Sequence, residues 1–217
     1  MEFARTRIKM CGMTRKEDAL AACDAGADAI GFVFYPPSPR CVSIAAAAEI
    51  SQSISTFVDK TALFVNADAG YIREVLSETK ADVIQFHGDE TELFCQQFGK
   101  PYIKAIRVKD ASQLSEQLKE HRKANSIMLD AYVPGVPGGT GQSFDWALIP
   151  DDLKTRLILA GGLNPENIVD AISAIRPYAV DVSGGIELSK GIKSSLRIRE
   201  FAAKVRQADL LVSEISS

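Results

Sequence analysis

Short apolar runs, often β-branched, alternate along the chain with longer stretches whose apolar residues recur at helical spacing. Ile8–Cys11 reads as a first strand, and Lys16–Ala25 as a helix with Ala19, Leu20 and Cys23 on one stripe. Gly26 is placed to end that helix in the left-handed conformation. The alternation then predicts strands at Ala29–Phe34, Thr61–Val65, Val83–Phe86, Tyr102–Ile106, Ser126–Asp130, Arg156–Ala160 and Tyr178–Val182. It predicts helices at Ser43–Ser53, Ala69–Glu78, Thr91–Phe98, Ala111–His121, Asn164–Ile175 and Leu196–Leu211, with a short one beginning near Asp145. Asn164 is placed as an N-cap with Pro165 at the first helical position. The strands are apolar at most positions, as expected when both faces of a sheet are covered.

Eight strands alternating with helices imply parallel pairing through right-handed crossovers. The 217 residues shared over eight units give about 27 each, near the lower size limit of a (β/α)8 barrel. The expected fold is α/β, one single TIM barrel spanning residues 1–217, with no linker or charge run marking a second domain. An open doubly wound sheet shares the alternation, but no G-x-G-x-x-G follows the first strand. The glycine pairs come instead after strands seven and eight, where such barrels commonly hold phosphate. A weak echo, Ala27-Asp28 and Ala81-Asp82, marks two of the helix-to-strand turns.

Composition excludes several classes. Net charge is −3 and the isoelectric point near 5.5, so no global basic field exists for nucleic acid or an anionic membrane. Four cysteines without a CxxC pair fit reduced thiols and show no metal-ligand spacing. Met1–Met10 lacks an apolar signal core, and no apolar stretch is long enough to cross a bilayer. The expected location is the cytoplasm, and the expected state a monomer or homodimer.

In a closed barrel, functional side chains sit at the C-terminal ends of the strands. That rim receives Cys11, Arg40, His87, Arg107, Asp130 and Asp181, together with Gly161-Gly162 and Ser183-Gly184-Gly185. Some polar residue follows any strand, so single positions mean little. The combination of thiol, carboxylate, arginine and two glycine pairs is more informative. Two glycine pairs after adjacent strands favour a phosphate cradled by backbone N–H groups, with a helix N-terminus adding its dipole. Cys23 and Cys95, on apolar helical stripes, read as small hydrophobes. Cys11, at a strand end before Gly12, can serve as base or nucleophile if nearby positive charge lowers its pKa. Asp130 ends an apolar strand, where partial desolvation favours the protonated form suited to a general acid. Arg40 offers a fork for a carboxylate or phosphate. His121, at a predicted helix end, reads as a dipole partner.

Several motifs occur together in one order: Lys9-Met10-Cys11-Gly12-Met13-Thr14, Ser38-Pro39-Arg40, Gln85-Phe86-His87-Gly88, Leu129-Asp130-Ala131, Pro137-Gly138-Gly139-Thr140-Gly141, Ala160-Gly161-Gly162 and Asp181-Val182-Ser183-Gly184-Gly185. This set resembles the phosphoribosylanthranilate isomerase family, over about Ile8 to Phe201. The resemblance implies a (β/α)8 barrel that carries out the Amadori rearrangement of N-(5-phosphoribosyl)anthranilate in tryptophan biosynthesis, with no cofactor and no metal. Carried over motif by motif, Cys11 matches the general base, Asp130 the general acid and Arg40 the arginine that meets the anthranilate carboxylate. The residues Gly161, Gly162, Ser183, Gly184 and Gly185 match the phosphate site, while His87 and Asp181 match lesser active-site positions. Gly184 stands where the family commonly has a serine, which removes one hydroxyl donor from the phosphate loop. Two rivals remain at this point: a histidine-pathway sugar-phosphate isomerase, expected to carry Asp where Cys11 stands, and a catalytically silent barrel that binds a phosphorylated metabolite.

Overall fold

A computed structural model describes residues 5–108, 110–130, 153 and 156–215. Eight parallel strands close into a barrel in sequence order: β1 (Arg7–Cys11), β2 (Ala29–Val33), β3 (Asp59–Phe64), β4 (Val83–Phe86), β5 (Tyr102–Ile106), β6 (Ser126–Asp130), β7 (Leu157–Ala160) and β8 (Ala179–Val182). The seam is made by β8 on β1, with Lys9 opposite Asp181 and Met10 opposite Val182. The outer helices are α1 (Lys16–Asp24), α2 (Ile44–Ser51), α3 (Ala69–Thr79), α4 (Glu92–Gln96), α5 (Ala111–Glu120), α6 (Ile168–Ile175) and α7 (Ser195–Ile215). A short antiparallel hairpin of β9 (Glu187–Ser189) and β10 (Ile192–Lys193) follows β8. The loop expected at 132–143 and the helix expected near Asp145 fall outside the described residues.

Strand alternation sorts the side chains. Ile8, Met10, Ile30, Phe32, Ile84, Phe86, Leu129 and Val180 face the helix layer and join the main core. The opposite parity fills the barrel: Ile103, Ala105, Met128, Ile158, Ala160 and Ala179 on one side, and Cys11, Val33 and Leu63 on the other. Ser43, Asp68, Thr91 and Asp110 cap the helices that follow β2 to β5, each side chain accepting a backbone N–H three residues on. Gly26 takes φ +87°, as the sequence predicts.

The Ala-Asp echo has a mechanical meaning. Asp28 accepts the N–H of Ile8 at 2.8 Å, and Asp82 that of Lys60 at 2.9 Å. Asn125 does the same for Tyr102 at 3.0 Å. Each side chain satisfies an N–H at the start of the preceding strand, at the barrel's base.

Two local expectations need correction. Helix α6 starts at Ile168, after a turn at residues 165–167, although Asn164 Oδ1 accepts the N–H groups of Glu166 and Asn167 at 2.9 and 3.0 Å in the manner of an N-cap. His121 is 1% exposed, so it is a buried core residue and not a solvated partner of a helix dipole.

Candidate active site

Cys11 and Asp130 are the last residues of β1 and β6, and both follow the inward parity of their strands. Gly31 leaves space for the thiol: a Cβ there would lie 2.7 Å from Cys11 Sγ. Beneath the thiol, two residues back on the same face, Lys9 extends its Nζ to Asp181 Oδ1 at 2.6 Å across the β1–β8 seam. Both side chains are almost fully enclosed. Burial opposes charge on Lys9, but Asp181 and Cys11 outweigh it and hold the ammonium above its ordinary range. Burial pushes the Cys11 thiol up, against the pull of Lys9 and Lys193.

The hairpin β9–β10 closes the rim above them. Arg40, from the β2–α2 loop, meets Glu187 through Nε and Nη2 at 2.7 Å each. Lys193 donates to Glu187 Oε1 at 2.9 Å and to the Ser183 carbonyl at 3.1 Å. Burial costs the Glu187 carboxylate, yet these two cations more than offset it and keep its pKa low. Burial lowers Lys193 despite Glu187. Thr14 donates to the Gly191 carbonyl, and Asp18 accepts the Lys193 N–H, so the β1–α1 segment also holds the hairpin.

Across the mouth, His87 Nε2 lies 3.3 Å from Asp130 Oδ2, an ion-pair contact without the alignment of a full hydrogen bond. His87, with a smaller contribution from Arg107, holds the Asp130 carboxyl below its ordinary range despite partial burial. This reverses the expectation from sequence, which weighed desolvation and lacked the imidazole. Gln85 Nε2 sits 3.4 Å from His87 Nδ1 and fixes the ring's other side.

The glycine pairs form two adjoining turns after β7 and β8. Gly161 and Gly162 have φ of +92° and +69°. Gly185 is required by close approach: a Cβ there would fall 1.9 Å from the Leu163 carbonyl oxygen. The two loops therefore touch backbone to backbone, which suits a shared anion cradle. Gly184 faces Arg40, with Nη2 3.3 Å from where its Cβ would lie.

The sequence reading thus assembles into one rim, but it missed the buried charges that set it: Lys9, Glu187 and Lys193, and Glu90 with Lys104. The available signal was a lysine inside an otherwise apolar strand, as in Arg7–Cys11 and Tyr102–Ile106. Among the described residues, no group of His, Cys, Asp and Glu is arranged to hold a metal, and no helix is long and apolar enough to cross a membrane.

A family model described as N-(5'phosphoribosyl)anthranilate (PRA) isomerase matches residues 8–204. The chain belongs to this family. A phosphoribosylanthranilate isomerase of Pseudomonas fluorescens (strain Pf0-1) is 54% identical over 204 residues, covering 94% of this chain and all of its own. The crystal structure of the phosphoribosylanthranilate isomerase from Thermotoga maritima superposes with a TM-score of 0.82 at 39% identity, over 93% of this chain and 99% of that one. Another isomerase structure, in complex with reduced 1-(o-carboxyphenylamino)-1-deoxyribulose 5-phosphate, matches with a TM-score of 0.82 at 37% identity and the same coverage. The likeness to these isomerase structures extends over the whole closed barrel.

Proposed function

We propose that this chain isomerises N-(5-phosphoribosyl)anthranilate to 1-(2-carboxyphenylamino)-1-deoxyribulose 5-phosphate in tryptophan biosynthesis, in the cytoplasm, with Asp130 as general acid and Cys11 as general base. The observation that supports the reading is that Cys11 and Asp130 are the last residues of β1 and β6, both on the inward parity, at the end of the barrel that also carries both glycine turns. Asp130 gives a proton to the furanose oxygen as the ring opens. The resulting iminium acidifies the hydrogen on C2, which Cys11 removes as thiolate. The enolamine left behind tautomerises to the ketone. Bonds and electrons balance within the substrate, so the reaction needs no redox partner.

The small phosphorylated substrate is held at its two ends. Backbone N–H groups of Gly161, Gly162, Ser183, Gly184 and Gly185 take the phosphate. Arg40, with its Nε and one edge of Nη2 committed to Glu187, presents its remaining N–H groups to the anthranilate carboxylate. Asp181 acts through Lys9, and His87 through Asp130.

Burial favours the protonated form of the Cys11 thiol, and His87 favours the ionised form of the Asp130 carboxyl. Moving one proton from Cys11 to Asp130 creates the reactive pair at constant total charge. A bound substrate that displaces water from Asp130, whose side chain is 34% exposed, favours the neutral acid.

The test is loss of anthranilate-type fluorescence when purified chain meets the substrate. Cys11→Ser and Asp130→Asn should each lower kcat by roughly 10²–10⁴-fold while leaving affinity for a reduced product analogue nearly intact. Near-normal turnover in either variant removes that residue from its role.

A further inference from the structure

Among the described residues, one fully bonded buried charge lies on the helix-facing side of the barrel wall. Lys104, on the outer face of β5, is 1% exposed, and its Nζ donates to three acceptors: the Gly88 carbonyl at 2.7 Å, the Glu90 carbonyl at 3.1 Å and Glu90 Oε2 at 3.0 Å. Three donors are all that an ammonium has. Glu90 is equally committed. Its Oε1 accepts the Asn66 N–H at 2.7 Å, and its Oε2 the Gly88 N–H at 3.0 Å. Asn66, at φ +51°, returns its own Oδ1 to the Asp89 N–H at 2.7 Å. Two active-site loops, after β3 and after β4, are thereby tied to β5 through one ion pair.

Burying such a pair is not a general route to stability, since apolar residues of similar volume often serve as well or better. Its geometry shows what it fixes. Both peptide planes flanking Gly88 are held, one through its N–H and one through its carbonyl. The first of these planes sets the backbone angle ψ of His87, whose own N–H is bonded to the Phe64 carbonyl at 2.9 Å. The close approach of the two loops needs a glycine at 88, because a Cβ there would fall against Asn66, 2.9 Å from its backbone N.

We infer that Lys104 and Glu90 are positioning residues for the isomerisation, clamping the main chain of residues 87–90 so that the His87 imidazole meets Asp130. The inference rests on the proposed role of Asp130 as general acid. Among the described residues, the titratable groups that act on Asp130 are His87 from the end of β4 and Arg107 from the end of β5, and the clamp reaches the carboxylate through the first of them.

The test uses the full chain carrying Lys104→Met with Glu90→Gln, which removes both charges and keeps an amide oxygen for one of the N–H groups. Expected is a folded, cooperatively melting protein whose kcat falls about tenfold or more while KM changes less than about threefold. The ratio of its kcat/KM to that of the parent, in which the substrate's own titration cancels, should fall as pH drops through the carboxylate range, because Asp130 loses its hold and titrates higher. In a His87→Gln background the same pair of substitutions should have little further effect, since both act on one contact. Glu90→Gln alone, which leaves Lys104 its two carbonyl acceptors, carries the comparison if the paired variant does not fold. The inference is overturned if kcat stays within about threefold and the ratio is level with pH, or if the effects add in full to those of His87→Gln. Failure of the underlying reading looks different: Asp130→Asn would itself remain active.

Discussion

Gly31 on β2 stands opposite Cys11 on β1, and the space left by its missing side chain is filled by the Cys11 sulfur. A methyl group at residue 31 would come within 2.7 Å of Sγ and 3.3 Å of the Cys11 Cα. Gly31→Ala should therefore displace the thiol and lower kcat about tenfold or more, while binding of a product analogue changes little. A variant with full kcat would show that the sulfur's position is not critical.

The proton inventory predicts an unusual alkaline limb. Burial keeps the thiol protonated and His87 keeps Asp130 ionised, so the reactive form is a tautomer of the resting one. From about pH 7, where the substrate phosphate is largely dianionic, kcat/KM should stay level and then fall above 9.0, the ordinary thiol value from which Cys11 is raised. Above that limb both groups are ionised and no proton remains for the ring oxygen. A rate that climbs steadily with pH through this range would mean that free thiolate limits turnover, contrary to this scheme.

Arg40 is braced by Glu187 on the hairpin. Arg40→Ala should raise KM about tenfold or more with kcat within about threefold. Glu187→Gln should act in the same direction more weakly, because the guanidinium loses its fork partner but not its charge. Unchanged steady-state constants in both would reduce Arg40 to a strut of the hairpin.

His121 gives a stability prediction with a definite sign. Burial, aided by Lys104, lowers its pKa below the ordinary 6.5, and its Nδ1 has no partner among the described residues. The unfolded chain therefore binds a proton more readily than the folded one. Its contribution is complete above about pH 6.5 and is lost as pH falls below that value toward the lowered folded-state pKa. Urea midpoints measured at pH 7.5 and pH 5.5 should differ less in His121→Phe than in the parent. An equal difference would exclude His121 as the source.

The barrel was legible because strands apolar at most positions alternate with stretches of helical period. Boundaries moved where a turn precedes the regular helix, as between Asn164 and the start of α6 at Ile168. The rim residues were legible because strand ends and glycine pairs leave a local signature. Their ionisation was not, since it depends on partners remote in sequence: His87 for Asp130, and Asp181 and Lys193 for the surroundings of Cys11. His121 was misread for the same reason, because a histidine at a helix end looks solvent-facing until the neighbouring strand is in place.

The hairpin that carries Lys193 has a consequence for biosynthesis of the molecule itself. Cys11 emerges from the ribosome 170 residues ahead of Asp181, and further still ahead of Glu187 and Lys193. A nascent chain thus displays this sulfur long before the burial and the charges that set its ionisation exist. The proposed base therefore has its full setting only once β8 and the strap behind it are paired with β1.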